Sequence, residues 1–268
     1  DVQGALLAQQ LQGGPLDVWT CSRRGPARLQ ARALTSAQGL AFEVIEGQAV
    51  QTLHTGLIGD YNMDNLLGVI GSLRALGFDL TQAVQACAQL TAVPGRMERV
   101  PVDLSVDQMD LASPLVVVDY AHTPDAITQA LAALRSQASL RGGRLWCVLG
   151  CGGDRDASKR PLMAAAAEAG ADQVVLTSDN PRTESPEAIV AAMVQGLSRP
   201  TLARVQLDRA LAIDGAVAQA AAQDVVLVAG KGHESEQEIM GVRHPFSDVA
   251  QARKALQQRA AQSQGVSA

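Results

Sequence analysis

Aromatic residues are scarce in this 268-residue sequence: two Trp, two Tyr and three Phe make up 3% of it. A core must then be built from aliphatic side chains. Apolar residues reach 47%, much of them Ala, Val and Leu, which excludes disordered and fibrous classes and suits an α/β protein. Cysteine is also sparse. Cys21, Cys87, Cys147 and Cys151 form no CxxC pair, which argues against a disulfide framework and a structural zinc site. Cys147 falls in an apolar strand and Cys87 in a helical stretch, where a free thiol acts as a small hydrophobe. A reducing, cytoplasmic compartment fits this usage. Basic charge is not in excess: the net charge of −5 leaves no stripe to neutralise phosphates, which argues against nucleic acid as a partner. No apolar run reaches membrane-spanning length, so no membrane association is expected. No secretory leader is visible, and because the sequence opens on Asp1 a preceding segment is expected.

Complete phosphate-binding loops are missing too. Gly150-Cys151-Gly152 is followed by Arg155 where a dinucleotide fingerprint has its third glycine. Gly230-Lys231-Gly232 lacks both the upstream glycine and the following Ser/Thr of a Walker A loop.

What the sequence does contain reads as two domains. Residues 1–60 read as β-rich, with short runs at Ala27–Leu34, Leu40–Ile45 and Gln48–Leu53, and Glu46-Gly47 marks a hairpin. A helix follows Gly59-Asp60-Tyr61-Asn62-Met63-Asp64-Asn65. Its apolar face is formed by Leu66, Val69, Ile70 and Leu73, widened by Leu67 and Leu76; Asn62 is the expected N-cap and Gly77 the stop. The amides of Asn62 and Asn65 cluster at the positive end of that helix, where they could bond a base or phosphate. A second helix is predicted over about Leu80–Leu90. Thr91-Ala92-Val93-Pro94-Gly95 is a break, and the domains are placed at 1–93 and 94–256, with 257–268 as an Ala/Gln/Ser-rich tail or linker to a further domain.

Beyond the break the pattern becomes strand, loop, helix. Leu115–Val118 leads into Asp119–Asp125 and a helix to about Arg135. Leu145–Leu149 leads into Gly150–Asp156 and a helix to about Ala169. Val174–Thr177 leads into Ser178-Asp179-Asn180-Pro181-Arg182, then a helix capped by Ser185 with Pro186 at its first position. Val225–Ala229 leads into Gly230-Lys231-Gly232-His233-Glu234. Solid apolar strands alternating with helices predict a mostly parallel sheet covered on both faces. Parallel strands put these loops on one edge, where open sheets bind ligands. The guanidinium, amide and carboxylate of Asp179–Arg182 can hold a carboxylate and an ammonium side by side, which describes an amino acid.

In order, GDYNMDN, PGRMERV, VVVDYAHTPDAI, LGCGGDRDASKRP, TSDNPRTESP and VAGKGHE resemble the Mur ligase family. Within it the resemblance is to the members that add meso-diaminopimelate to UDP-N-acetylmuramoyl-L-alanyl-D-glutamate in peptidoglycan synthesis. It covers about Leu57 to Leu256 and implies a C-terminal Rossmann-like α/β domain, preceded by the last part of a central ATPase domain. It further implies ATP and magnesium, with the phosphate-binding loop and a carbamylated lysine expected upstream of Asp1. By motif, Asn62 and Asn65 would contact adenine, Arg96 the phosphates and Asp119 the ribose. His122 would stand beside the nucleotide, with Arg96 and His122 as the catalytic candidates. Arg155, Asp179, Asn180, Arg182, Gly230 and Glu234 would hold diaminopimelate, with Asn180 Oδ1 and Glu234 accepting from its ammonium. No metal ligand is assigned within the chain. Where the family often has Lys-Gly-Lys before Arg-Pro, this sequence has Ala157-Ser158-Lys159, so phosphate duty is not assigned there. Two other readings are another amide ligase of the same superfamily, such as a folylpolyglutamate synthase, and a non-catalytic Rossmann-like binding module.

Overall fold

The computed structural model describes residues 2–36, 39–101 and 113–265. The chain divides into two compact units, Asp1–Thr91 and Ala92–Ala268, and the division falls inside the Thr91–Gly95 break.

The first unit opens with a helix not read from the sequence, α1 (Val2–Leu11), which buries no residue. Strands β1 (Cys21–Ser22), β2 (Leu29–Leu34), β3 (Leu40–Glu46) and β4 (Ala49–Thr55) form one sheet in that order. The β3–β4 pair is the predicted hairpin, turning at Gly47 with φ +59°. Helix α2 (Tyr61–Ala75) begins earlier than the sequence implies. Asp60 is its N-cap, without a side-chain cap bond, and Asn62 lies inside the first turn with its amide donating to the Ile58 carbonyl at 2.8 Å. The buried stripe is Met63, Leu66, Leu67 and Ile70, whereas Val69 and Leu76 are exposed. Successive helical residues turn by about 100°, so Val69 points away from that stripe and Met63 joins it. Helix α3 (Leu80–Ala88) has a full capping box between Asp79 and Gln82, and buries Leu80, Ala83, Val84 and Cys87 along one face.

The second unit is a six-stranded sheet in the order β5-β6-β10-β7-β8-β9. Its strands are β5 (Glu98–Arg99), β6 (Leu115–Asp119), β7 (Leu145–Cys151), β8 (Gln173–Ser178), β9 (Arg204–Val205) and β10 (Val225–Ala229). All neighbours are parallel except β5, which runs antiparallel to β6. The register aligns Ala229 with both Asp119 and Leu149, and Gly150 with Thr177. The four predicted loops therefore emerge on one edge.

Helices α4 (Pro124–Arg141), α5 (Lys159–Gly170), α6 (Pro186–Val194), α7 (Arg209–Gln219) and α8 (Asp248–Gly265) belong to the same unit. Ser185 caps α6 through Ala188 N, with Pro186 in its first turn as predicted. Helix α4 runs past Arg135 to Arg141, ending only at left-handed Gly142. Helix α8 continues to Gly265, so residues 257–265, expected as tail or linker, are helical. Ala and Gln are good helix formers, and the expected boundary rested on composition alone. On one face of the sheet, Ile213 and Val217 of α7 and Ala252 and Leu256 of α8 pack on the valines of β6, β7, β8 and β10. Each such Val, Ile or Leu side chain contributes roughly 1.5–3 kcal/mol on full burial. Helix α5 packs against both α4 and α6. Between β10 and α8 lies an antiparallel hairpin, β11 (Glu236–Ile239) and β12 (Val242–Pro245). No helix among the described residues is long and apolar enough to cross a membrane.

Candidate functional site

The edge formed by the ends of β6, β7, β8 and β10 carries a cavity of about 450 Å³. Arg155, Asp179, Asn180, Arg182, Gly230 and Glu234 all line it. These six residues come from three separate loops, and the structure brings them together.

The loop after β8 is held on two sides. Gly153 N donates to the Asn180 carbonyl at 2.8 Å, and Arg182 Nη1 donates to the Gly153 carbonyl at 2.7 Å. A side chain at position 153 would overlap the Pro181 carbonyl, so only glycine lets the loops after β7 and β8 approach this closely. From the other side β11 grips the same loop: Arg182 N donates to the Glu238 carbonyl at 3.0 Å, and Gln237 Nε2 to the Asp179 carbonyl at 2.5 Å. Arg182 itself sits at φ +51°, an uncommon conformation for a non-glycine residue that its neighbours must hold in place.

Behind the cavity wall the polar groups interlock around a lysine. Lys231 is wholly buried, and its ammonium donates to Asn180 Oδ1 (3.1 Å), Glu234 Oε2 (3.1 Å) and the Glu236 carbonyl (2.7 Å). Asn180 Oδ1 also accepts from Glu238 N at 3.0 Å, while Asn180 Nδ2 donates to Glu234 Oε2 at 2.7 Å. Asn180 Oδ1 is thus taken by two donors. The expectation that it accepts from a ligand ammonium is corrected: Asn180 has its second N–H to offer instead. Glu234 keeps Oε1 unspent among the described residues. Asp179 lies 3.9 Å from Lys231 Nζ; burial raises its carboxyl above the ordinary value, against the pull of Arg209 and Lys231. Gly230, at φ +115°, leaves no room for a Cβ, which would fall 2.5 Å from Asp179 Oδ2.

The two arginines differ. Arg182 is pinned, whereas Arg155 is exposed and makes no hydrogen bond among the described residues. Beside them the buried Arg160 forks onto Glu184 at 2.7 and 2.9 Å. Glu184 also accepts from Asp154 N at 2.6 Å, and the Arg160 bond, followed by this one, holds its carboxyl below the ordinary value. Arg209 and Asp248 form a fully buried bidentate pair at 2.7 Å. Arg209 also donates to the Ser178 and Ala229 carbonyls, tying together the ends of β8 and β10. Cys151 lines the cavity, but burial pushes its thiol up to about 12, which removes it as a nucleophile near neutral pH.

A second cluster stands at the β6 end. The guanidinium of Arg96 lies 4.7 Å from the Tyr120 ring centroid; the His122 ring meets Tyr120 edge-on at 4.6 Å, and the His233 ring is tilted at 5.6 Å. Arg96, His122 and His233 are exposed. An exposed cation beside open aromatic faces suits a phosphorylated base. Asp119 is committed elsewhere. Its carboxylate accepts from Met97 N (2.7 Å) and Ala121 N (2.8 Å), and burial raises its carboxyl despite those bonds. It clamps the Arg96 loop to the end of β6, and a ribose hydroxyl would have to use its remaining lone pairs. Asn62 and Asn65 belong to the first unit, where Asn65 Nδ2 donates to Asn62 Oδ1 at 3.1 Å. Among the described residues no group of three or more His, Cys, Asp or Glu is placed to hold a metal ion.

Arg160, Glu184 and Arg209 are absent from the site residues read from the sequence, and Lys231, expected on the rim with its loop, has no ligand role assigned there. The signal for Lys231 is its pair of flanking glycines, which free the backbone to bring it close to its neighbours. Arg209 and Asp248 lie 39 residues apart, and no pattern in the sequence joins them.

These features define a mostly parallel α/β domain with a polar cavity on the carboxyl edge of its sheet. The chain belongs to the Mur ligase family: residues 95–232 match the family model described as "Mur ligase, glutamate ligase domain". A UDP-N-acetylmuramoyl-L-alanyl-D-glutamate–2,6-diaminopimelate ligase of Acidovorax sp. (strain JS42) is 55% identical over 260 residues, 97% of this chain and 50% of the relative. A solved structure of a ligase with that name superimposes with a TM-score of 0.73 at 40% identity, over 96% of this chain and 51% of the other. A folylpolyglutamate synthase of Mycobacterium tuberculosis, solved with ADP and AMPPCP, has a TM-score of 0.58 at 22% identity, over 85% of this chain and 50% of that one. That last likeness is one of fold alone. The chain spans about half the length of the curated relatives it matches.

Proposed function

We propose that this chain supplies the amino-acid-binding domain, and part of the nucleotide site, of an ATP-dependent ligase. The ligase would join meso-diaminopimelate to UDP-N-acetylmuramoyl-L-alanyl-D-glutamate in peptidoglycan synthesis. The observation that carries the reading is the make-up of the cavity wall, where Arg155 and Arg182 are joined by Glu234 and Asp179. The distal end of diaminopimelate is itself an amino acid, and those groups match its carboxylate and its ammonium.

ATP, when bound, supplies the phosphoryl group that activates the acceptor carboxylate for attack by an amine. This chain's share would be orientation. Arg155 and Arg182 would fork onto the distal carboxylate, with the free N–H of Asn180 as a further donor, and Glu234 would accept from the distal ammonium. The opposite amine is then left to attack the activated carbonyl carbon, losing a proton as phosphate departs. Arg96 would face the nucleotide phosphates, with His122 beside the nucleotide. No magnesium ligand is assigned among the described residues, and no step here is routed through the metal.

Calorimetric titration of the chain with meso-diaminopimelate, L-lysine and L-glutamate tests the reading. Diaminopimelate is expected to bind. Lysine, which lacks the distal carboxylate, should bind far more weakly, because Arg155 and the N–H groups that Arg182 does not spend on Gly153 would lose the carboxylate they are placed to meet. Glutamate binding at least as well as diaminopimelate would move the assignment to a folylpolyglutamate-type ligase. Binding of none of the three would remove the amino-acid site.

A further inference from the structure

Resting on the amino-acid reading of the cavity, we propose that Lys231 is the positioning residue of this site: it sets Asn180 to meet the substrate as a donor and leaves Glu234 a single open acceptor.

Three features point there. Lys231 is fully buried with all three ammonium protons spent, on Asn180 Oδ1, Glu234 Oε2 and the Glu236 carbonyl, so none is left for a ligand. Its two side-chain partners both line the cavity, and they are bonded to each other. The amide of Asn180 has one consistent orientation. Turned over, its NH₂ would face the Lys231 ammonium and Glu238 N–H, donor against donor, and its oxygen would face the Glu234 carboxylate.

Charge explains why an ammonium, and not a neutral group, occupies this position. Asp179 and Glu234 bring two carboxylates to Lys231, while Arg209 is committed to Asp248. Lys231 offsets the charge these groups bring to one point, at 3.1 Å from Glu234 and 3.9 Å from Asp179. It also spends Glu234 Oε2, so that Oε1 alone meets the ligand. The flanking glycines permit this burial: Gly230 passes beside Asp179, and a Cβ on Gly232 would stand 2.7 Å from Tyr120 Cβ.

NMR on the wild-type chain tests the role without a substitution. The Lys231 ammonium and the Asn180 NH₂ are expected as slowly exchanging ¹H–¹⁵N signals, and both should shift as meso-diaminopimelate is added. Shifts confined to Arg155 and Arg182, with Lys231 and Asn180 unmoved, would overturn the positioning role while leaving the amino-acid site intact. A chain in which no signal moves would overturn the site itself, and this role with it. In the folded Lys231→Met chain, affinity for meso-diaminopimelate should fall by at least about tenfold, the scale seen when partners that orient metal ligands are removed. The Asn180 NH₂ should lose its protection in the same variant. An unchanged affinity overturns the proposal, and so does a gain, which is what removal of a merely competing cation would give.

Discussion

The two ends of the sheet edge are built on opposite plans. At the β8–β10 end Asp179, Asn180 and Lys231 are buried and bonded or paired within the site. At the β6 end Arg96, His122 and His233 are exposed and gather around one ring, Tyr120. The first end is preorganised: its geometry is set on folding, and a ligand meets groups already aimed. The second presents its side chains to solvent on a backbone that Asp119 holds through Met97 N and Ala121 N. A buried polar network costs much when it is broken and an exposed cluster little, so substitutions should separate the two ends by stability alone.

The largest effect is expected at the interlocked end. Arg209→Met would strand Asp248 and two strand-end carbonyls where neither side chain has any exposure. Breaking one partner of such a pair costs about 3–5 kcal/mol. Urea denaturation should report that loss, and a cost below about 1 kcal/mol, the range of exposed pairs, would mean the pair does not anchor this end. Gly230→Ala comes next. It imposes φ +115° on a residue with a Cβ and drives that Cβ toward Asp179, so about 1–3 kcal/mol is expected from the backbone strain alone. Loss of diaminopimelate binding should accompany it. Retained affinity would show that Asp179 can shift without consequence for the site.

A smaller effect, with a pH signature, is expected from the Arg160–Glu184 fork. The Glu184 carboxyl is held below its ordinary value, first by the Arg160 bond. The folded state therefore favours the ionised form. That contribution is complete above the ordinary carboxylate range and is lost as pH falls through the lowered value. Glu184→Gln should lower stability at neutral pH, and the gap from wild type should close on acidification. A gap that stays constant with pH would mean the fork acts through shape and not through charge.

Much of this edge is legible in the sequence, for a definite reason. Parallel strands buried on both faces need unbroken apolar runs, so Leu115–Val118, Leu145–Leu149, Val174–Thr177 and Val225–Ala229 stand out, and parallel pairing then places their loops together. Ser185 and Pro186 mark the start of α6 by local chemistry alone. The grip on that edge is not legible. The β11–β12 hairpin has no apolar alternation, and Met240 at φ +51° takes a turn position where Asn or Asp would have signalled it. Lys231 is legible as a residue of the edge loops, but its burial and its three acceptors, at positions 180, 234 and 236, are not. Asn62 resembles a cap because Asp60, the actual cap residue, makes no cap bond to reveal itself. Local rules find elements and loops; the bonds that lace loops together are set by the fold.

The smallest effect is expected at the open end, and it is the one that would erase the contrast. Arg96 stands over Tyr120 without burial, and a cation over a ring at an exposed site is worth about 0.5–1 kcal/mol. Arg96→Ala should therefore cost no more than that in urea denaturation. His122→Ala should cost less still, because its ring is exposed and its Nδ1 reaches only the Tyr120 carbonyl, at 2.8 Å. If both groups serve the nucleotide, the same substitutions should weaken ATP binding by far more than they weaken the fold. A residue that holds structure gives the opposite pattern. Losses of about 2 kcal/mol or more at Arg96, the scale of a desolvated cation–ring contact, would mean that this end is interlocked as well and that its exposure is not a sign of readiness for a ligand.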